Sequence, residues 1–497
     1  MAEPLTLKAS ARVWLYHLLS GVGDWVAKPC ESESHADGHL GDVGGPLFLT
    51  PLIDAGLLDK ARHQSRVGRL LDDPKAAELV PSYAGFLTVD KEMSSNIFFW
   101  FFPAKEKPDD APVILWLQGG PGGSSLFGLF LEHGPYRVVE DDTVRLRNTT
   151  WARRYSMLYV DSPVGAGFSF TWSERGYARN QRHVARDLHE ALQQFFTLFP
   201  RFAKNDFYVV GESYAGKYAT AVAHLITTTL YSRVHIKLRG IAVGNAWLDP
   251  ETTLGYAQFL YHIGLVDRRQ ADHIQRGTER AVALARHGRF ADAFKVMDHL
   301  LEGFEASMSY FKNVSGIFTP YNFLQTDERM RRDLELYRSF VRTHDFRRAV
   351  HVGNVAFNSG REAASNLLAD VMRSVKPSFL SLLERDYKVL VYSGQLDAVV
   401  PHTLAVDFLS GLQWSGTESF DAARRKVWRL PTRGSGVAGY VKRAGNLLQV
   451  MVRDAGHFVP YDQPEAALDM MSRFIDGTSF EEYAAASGKG RTRLDDR

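Results

Sequence analysis

Residues 206–216 read DFYVVGESYAG, and this stretch decides the fold prediction. The run Asp206–Val210 is typical of a buried strand, whereas Tyr214–Thr227 has the apolar spacing of a helix. Ser213 lies in the turn between them, flanked by small residues. A strand, a sharp turn and a helix are the context of a nucleophile elbow, which exposes a serine hydroxyl at the carboxyl end of a sheet. The alternative reading of Ser213 is an ordinary helix N-cap.

Other short apolar runs alternate with helical patterns on both sides of this elbow. The predicted strands are Phe86–Val89, Asn96–Phe102, Val113–Leu117, Met157–Val160, Leu238–Val243, Tyr387–Tyr392 and Asn446–Val452. Such alternation predicts a mostly parallel sheet with helices on both faces. The alternation stops near residue 251 and resumes near 385. The fold class expected is therefore α/β, an α/β-hydrolase fold with a mostly parallel central sheet and a helical insertion that caps the site.

The same pattern sets the expected domain boundaries. They are 1–80, a leader or propeptide-like arm; 81–250, the first part of the hydrolase core; 251–384, the helical insertion or cap; 385–485, the second part of the core; and 486–497, a disordered tail. The tail is charged and rich in small residues, which disfavours a packed structure.

Composition excludes several classes of function. The chain of 497 residues has 59 basic and 57 acidic side chains, so nothing indicates binding to nucleic acid. No run of 18 apolar residues exists, so no membrane span is expected. Cys30 is the single cysteine, which rules out a disulfide within the chain. We expect no metal and no cofactor.

A glycine-rich loop follows the predicted strand Val113–Leu117. Residues 116–125 read WLQGGPGGSS, and four of the five positions 119–123 are glycine. Glycines are entropically costly, so their density favours a loop whose backbone N–H groups must approach a substrate. α/β-Hydrolases take a second oxyanion donor from such a loop, and losing one donor costs roughly 100- to 1,000-fold in rate. The alternative is a flexible surface turn.

The candidate acid and base follow in the chain order that this fold uses, serine, then acid, then histidine. Asp397 comes just after the strand Tyr387–Tyr392, and His457 just after Asn446–Val452. Both therefore belong at the sheet edge that carries Ser213. In these roles His457 takes the serine proton and returns it to the leaving amine, while Asp397 holds the imidazole tautomer.

These segments resemble the serine carboxypeptidases from about residue 83 to 480. The motifs are WLQGGPG at 116–122, EHGP at 132–135, DSPVGAGFS at 161–169 and GESYAG at 211–216, together with the Asp397 and His457 segments. HVGN at 351–354 and YDQP at 461–464 are similar to the vitellogenic-like branch. The resemblance implies an acyl-enzyme mechanism that removes single residues from the C-terminus of peptides. It also implies that the N–H groups of Gly120 and Tyr214 form the oxyanion hole.

The resemblance further implies a site for the carboxylate of the substrate. Its members match Glu212, the N–H of Gly119, Glu132 as the partner of Glu212, and Gln118, which stands where the family commonly has asparagine. Two adjacent carboxyl groups do not both ionise cheaply, so one keeps a proton and donates it to the substrate. We expect activity on peptides to be favoured at acidic pH.

Features of the sequence give conflicting indications of the cellular compartment. Lys8 and Arg12 precede an apolar run at Val13–Leu19, which loosely resembles a signal peptide and equally fits an amphipathic segment. Asn148 and Asn313 begin glycosylation sequons. These features and the family favour the secretory pathway, lysosomal or secreted, whereas the lack of disulfides argues against it.

Two other functions stay open at this point. The same triad serves esterases and acyltransferases, and a non-catalytic stabilising protein could retain it. Peptide substrates are the expected partners. The oligomeric state is open, with a homodimer as one option.

Overall fold

A ten-stranded sheet organises the protein. The computed structural model describes residues 43–70, 80–304, 308–325, 328–430 and 436–481. The strands are β1 (Tyr83–Asp90), β2 (Ser95–Phe102), β3 (Val113–Leu117), β4 (Tyr136–Val139), β5 (Thr143–Leu146), β6 (Ser156–Val160), β7 (Ala166–Gly167), β8 (Phe207–Glu212), β9 (Leu238–Gly244), β10 (Asn358–Ser359), β11 (Lys388–Gly394), β12 (Lys426–Arg429), β13 (Val437–Ala444) and β14 (Leu447–Val452).

The order in the large sheet is β1-β2-β6-β3-β8-β9-β11-β14-β13-β12. The six strands from β6 to β14 run parallel, and an antiparallel pair closes each edge. Two short pairs lie outside this sheet, β4 with β5 and β7 with β10. The predicted mostly parallel sheet is confirmed.

Helices cover both faces of the sheet. They are α1 (Thr50–Asp54), α2 (Leu58–Gln64), α3 (Gln181–Leu198), α4 (Ala215–Thr228), α5 (Tyr256–His262), α6 (Arg268–Arg286), α7 (Phe290–Met297), α8 (Tyr310–Ser315), α9 (Glu328–Phe340), α10 (His344–Ala349), α11 (Arg361–Val371), α12 (Lys376–Glu384), α13 (His402–Ser410), α14 (Thr417–Ala422), α15 (Val459–Asp462) and α16 (Pro464–Asp476). Shorter helical turns occupy Gly128–Glu132, Trp151–Arg153, Glu174–Gly176, Pro200–Lys204 and Asp298–Glu302.

Each central strand contributes alternate side chains to two apolar cores. In β3, Leu115 and Leu117 pack on the side of α3 and α4, whereas Ile114 and Trp116 pack on the side of α16. All five residues of β3 are buried. Burial on both faces explains why the parallel strands are continuously apolar.

The carboxyl ends of the parallel strands place the polar residues of the site at one edge. Gln118 follows β3, Ser213 follows β8 and Asn245 follows β9. Asp397 lies three residues beyond β11, and His457 lies in the loop between β14 and α15. This edge is where open parallel sheets bind ligands.

The segment between β9 and β11 contains α5 to α12 and the short strand β10. Before β1, residues 43–70 pack on the core, where Leu49 is fully buried and its N–H donates to the carbonyl of Phe86. The predicted signal-like run, Cys30 and the tail 486–497 lie outside the described residues. Within the described ranges, no helix has the length and apolar character needed to cross a bilayer.

Candidate active site

Ser213 sits in a strained turn between β8 and α4. Its φ of 60° is in the left-handed region, which costs free energy for a residue other than glycine. Three hydrogen bonds hold this conformation: its N–H donates to the carbonyl of Gly244 at 2.9 Å, and its carbonyl accepts from Gly216 at 3.0 Å and Trp247 at 3.0 Å. The N-cap of α4 is Tyr214 and lacks a side-chain capping bond. The serine hydroxyl is therefore not a helix cap, and the elbow is what the structure forms.

The glycine loop presses against this elbow. A Cβ on Gly119 would lie 2.6 Å from the carbonyl oxygen of Glu212 and 2.8 Å from the nitrogen of Tyr214, so no side chain fits there. Among the described residues, neither the N–H of Gly120 nor that of Tyr214 has a hydrogen-bond acceptor. Two main-chain donors are thus free beside Ser213, as an oxyanion hole requires.

Asp397 and His457 form a buried pair. His457 Nδ1 lies 2.7 Å from Asp397 Oδ2, and both side chains are almost fully buried. A carboxylate only accepts, so Nδ1 carries the hydrogen and Nε2 is the nitrogen that can take a proton. Asn245 Nδ2 donates to the same Oδ2 at 2.6 Å, and the N–H of Val399 donates to Oδ1 at 2.7 Å. These two donors fix the orientation of the carboxylate, Asn245 through the oxygen that the imidazole contacts and Val399 through the other oxygen.

A loop from the insertion holds the histidine loop in place. The N–H of His457 donates to the carbonyl of Tyr321 at 2.6 Å, and the two rings lie 5.4 Å apart. The N–H of Gly456 donates to Asp462 Oδ2 at 2.6 Å, and Asn322 Nδ2 donates to the same oxygen at 3.0 Å. From the sequence, Asp462 was interpreted as a solvated loop carboxylate and Asn322 was given no role, whereas the structure makes both of them supports of the candidate base.

One cavity brings most of the predicted site residues together. Its lining includes Gln118, Gly119, Gly120, Ser213, Tyr214 and His457, but not Asp397, Glu132 or Glu212. The empty space within it, including solvent at its mouth, is about 880 Å³. The serine hydroxyl and the imidazole share this cavity without a hydrogen bond between them. Such bonds are often long before substrate binds.

Two buried glutamates lie behind the elbow. Glu132, at the end of the turn Gly128–Glu132, and Glu212, at the end of β8, are both fully buried. Gln118 Nε2 donates to Glu212 Oε1 at 2.8 Å, and the indole of Trp116 donates to Gln118 Oε1 at 3.0 Å. The amide is therefore oriented with its N–H toward Glu212.

Burial keeps a proton on this pair. It raises the pKa of Glu132 to about 8. Burial raises the pKa of Glu212 well above its usual value, and the charge of Glu132 adds to this rise. Both Glu132 oxygens and Glu212 Oε2 have no hydrogen-bond partner in the described part of the chain if both groups are ionised. A proton shared between the two carboxyl groups supplies the missing donor.

A second buried network anchors Tyr214, and the sequence did not reveal it. Asp370 Oδ2 in α11 accepts from the Tyr214 hydroxyl at 2.7 Å and from Gln181 Nε2 at 2.6 Å. Lys217 Nζ lies 3.2 Å from the same oxygen and also donates to the Asp370 carbonyl. Burial lowers the pKa of Lys217 to about 8, although the nearby Asp370 charge opposes this. The one sequence signal was a lysine one turn after Ser213 in an apolar helix.

The two sequon asparagines lie away from the cavity. Asn148 is exposed just before the helical turn Trp151–Arg153, and Asn313 is exposed in α8. Both are accessible to an enzyme that attaches a glycan.

The comparison with protein families gives one match. A family model described as "Serine carboxypeptidase" matches residues 74–477. The chain belongs to the serine carboxypeptidase family. It is thus a hydrolase of the exopeptidase type with an acyl-enzyme mechanism, and the predicted function is confirmed.

Curated relatives place it in the predicted branch of the family. The chain is 49% identical to the human "Probable serine carboxypeptidase CPVL" over 446 residues, 89% of this chain and 92% of the relative. It is 43% identical to the "Venom serine carboxypeptidase" of Apis mellifera, covering 89% and 93%. It is 40% identical to the "Vitellogenic carboxypeptidase" of Aedes aegypti, covering 87% and 90%.

A solved structure shares the fold. Kex1(delta)p, described as a prohormone-processing carboxypeptidase from Saccharomyces cerevisiae, superposes with a TM-score of 0.73. The alignment covers 84% of this chain and 97% of that one at 22% identity. Together with the sheet described above, this confirms the predicted α/β-hydrolase fold.

Proposed function

We propose that Ser213, Asp397 and His457 are the catalytic triad of this carboxypeptidase. His457 Nε2 takes the hydroxyl proton, and Ser213 Oγ attacks the carbonyl of the last peptide bond. The N–H groups of Gly120 and Tyr214 stabilise the oxyanion, and His457 returns the proton to the leaving amine. Water then repeats the sequence on the acyl-enzyme. The 2.7 Å bond between Asp397 and His457 and the cavity shared with Ser213 support these roles.

We propose that Gln118, the N–H of Gly119, Glu132 and Glu212 bind the substrate's terminal carboxylate. The observation that carries this proposal is the fully buried pair Glu132 and Glu212, which Gln118 contacts at 2.8 Å beside the nucleophile, since simple ester hydrolysis has no use for such a pair. Burial raises the pKa of both glutamates, which favours a retained proton. A protonated carboxyl donates a hydrogen bond to an anion, whereas an ionised one repels it. Raising the pH through the pKa of the pair removes the donor, so the affinity for peptides falls.

The test compares three forms of one blocked dipeptide: the free acid, the C-terminal amide and the simple ester. At pH 5 the free acid should be cleaved far faster than the amide, because only the free acid engages the glutamates. Its KM should rise between pH 5 and pH 8, whereas that of the ester should change little. A Ser213→Ala variant should cleave none of the three. Equal KM trends for acid and ester would count against the carboxylate site.

We also propose that residues 251–384 act as a cap and that the protein follows the secretory pathway, bound for a lysosome or for secretion. The cap is supported by the contribution of Phe294, Glu302 and Leu368 to the cavity wall. The route is supported by the exposed sequons at Asn148 and Asn313 and by a relative named for venom. Protein secreted from a eukaryotic host should lose mass when treated with an N-glycosidase. Loss of both sequons by Asn→Gln substitution should abolish that shift.

A further inference from the structure

The cavity beside Ser213 has apolar walls and a single acidic group. Its apolar wall includes Trp247, Phe294, Met297, Phe304, Leu368 and Val399. Among the described lining residues, Glu302 is the one carboxylate, and none of them is a lysine or an arginine. A lone carboxylate in an apolar wall indicates a binding function for its charge.

Neighbouring residues fix the main chain of Glu302, whereas its carboxylate has no partner among the described residues. It ends the helical turn Asp298–Glu302, which Gly303 closes in a left-handed conformation with φ of 70°. Lys312 Nζ donates to the main-chain carbonyl of Glu302 at 2.6 Å. The carboxylate forms no hydrogen bond or ion pair with any described residue. A carboxylate that is partly buried and unpaired is costly, and a cation from a ligand removes that cost.

We propose that Glu302 selects peptides with lysine or arginine at one of the two residues flanking the scissile bond. The inference rests on the proposed carboxypeptidase function and names its substrate class. The apolar wall suits the methylene stem of such a side chain, while the carboxylate pairs with the charge at its end. The wall lies around Ser213, so the side chains next to the reacting carbonyl are the ones that reach it.

The preference should depend on pH. Burial raises the pKa of Glu302, and Lys312 opposes this rise, while Asp298 and Asp397 add to it and His457 lowers it. A bound cation stabilises the ionised form of Glu302, so its binding strengthens as rising pH ionises the group. A neutral substrate experiences every other titration of the site. The ratio of kcat/KM for a basic and a neutral peptide cancels the titrations that affect both peptides equally, and the Glu302→Gln variant shows how much of the remaining pH dependence belongs to Glu302.

The experiment uses two pairs of blocked dipeptides. One pair has lysine or the neutral norleucine as the C-terminal residue, and the other pair has them at the penultimate position. In one of the two pairs, kcat/KM for lysine should exceed that for norleucine by about 10- to 100-fold, the range of a hydrogen bond to a charged group. This ratio should rise from pH 4.5 to pH 7 in the wild type. That measurement needs no variant.

Two variants complete the test. Glu302→Gln should bring the ratio to within about threefold of one, the level left when the charge-assisted bond is absent. Glu335→Gln, on the exposed side of α9, should leave it unchanged. The inference is overturned by any one of three results. They are a ratio near one in the wild type, a ratio that does not rise with pH, and a preference for lysine that persists in Glu302→Gln. If the norleucine peptides are cleaved, the proposed function stands in each case. If none of the four peptides is cleaved, both this inference and the proposed carboxypeptidase function are overturned.

Discussion

Replacing Glu132 with glutamine tests whether the buried glutamate pair keeps a proton. In the wild type, burial raises the pKa of Glu132 from 4.5 to about 8. Burial and the neighbouring charge of Glu132 raise the pKa of Glu212 as well. The folded chain therefore retains at least one proton that the unfolded chain releases near pH 4.5.

The sign of the effect on stability follows from this retained proton. Between about pH 4.5 and 8 the folded state binds more protons than the unfolded state, so rising pH lowers the free energy of unfolding. One proton corresponds to about 1.4 kcal/mol for each pH unit. In Glu132→Gln, the new amide donates to the free oxygen of Glu212 and the like charge is gone, so the pKa of Glu212 falls. From pH 5.5 to 7.5 the wild type should lose about 3 kcal/mol more than the variant.

The assay is denaturant unfolding of both proteins at these two pH values. Other buried carboxyl groups with a raised pKa, such as Asp161 and Asp187, titrate in both proteins, so their contributions cancel in the comparison. The quantity measured is the pH-induced change in the free energy of unfolding, wild type minus variant. If both proteins lose the same free energy over this window, the pair does not hold the proton and the reasoning is refuted.

Two further substitutions test the main-chain donors and their support. Gly119→Ala places a Cβ 2.6 Å from the main chain of the elbow, so kcat on a blocked dipeptide should fall about 100-fold or more. The control is Gly45→Ala, whose Cβ meets open space and which should leave kcat unchanged. Wild-type kcat in Gly119→Ala would exclude a tightly fitted oxyanion loop. Asp370→Asn removes the charge partner of the buried Lys217, so thermal unfolding should report a loss of about 3 to 5 kcal/mol, and kcat should fall while KM stays within about threefold. Adding Lys217→Met should recover stability; a loss that persists would show that the ion pair is not its cause.

The sequence predicted the centre of the sheet better than one of its edges. Val113–Leu117 is buried on both faces, so its continuous apolar run is a clear strand signal. The strands Lys426–Arg429 and Val437–Ala444 were missed, because both are partly exposed and mix charged residues with apolar ones. The helix predicted over Tyr214–Thr227 spans Ala215–Thr228 in the structure. Periodicity locates an element more reliably than it locates its end.

Residues of the candidate site also differ in how far the sequence could indicate their roles. Ser213, Asp397 and His457 could be proposed from the sequence because each follows a strand that could be recognised locally. Asn245 and Asp370 were not found, because their roles depend on partners far away in the chain. Asn245 bonds to a residue 152 positions away, and the Asp370 carbonyl accepts from a lysine 153 positions away. Only the fold brings such pairs together, and no local pattern encodes them.

The most direct test of the proposed catalytic serine is to map the adduct of a fluorophosphonate by mass spectrometry. The reagent reacts only with a serine activated by a base and an oxyanion hole. We expect a single adduct on the peptide containing Ser213, which should be lost in Ser213→Ala and strongly reduced in His457→Ala. An adduct on another residue, or equal labelling of the Ser213→Ala variant, would contradict it.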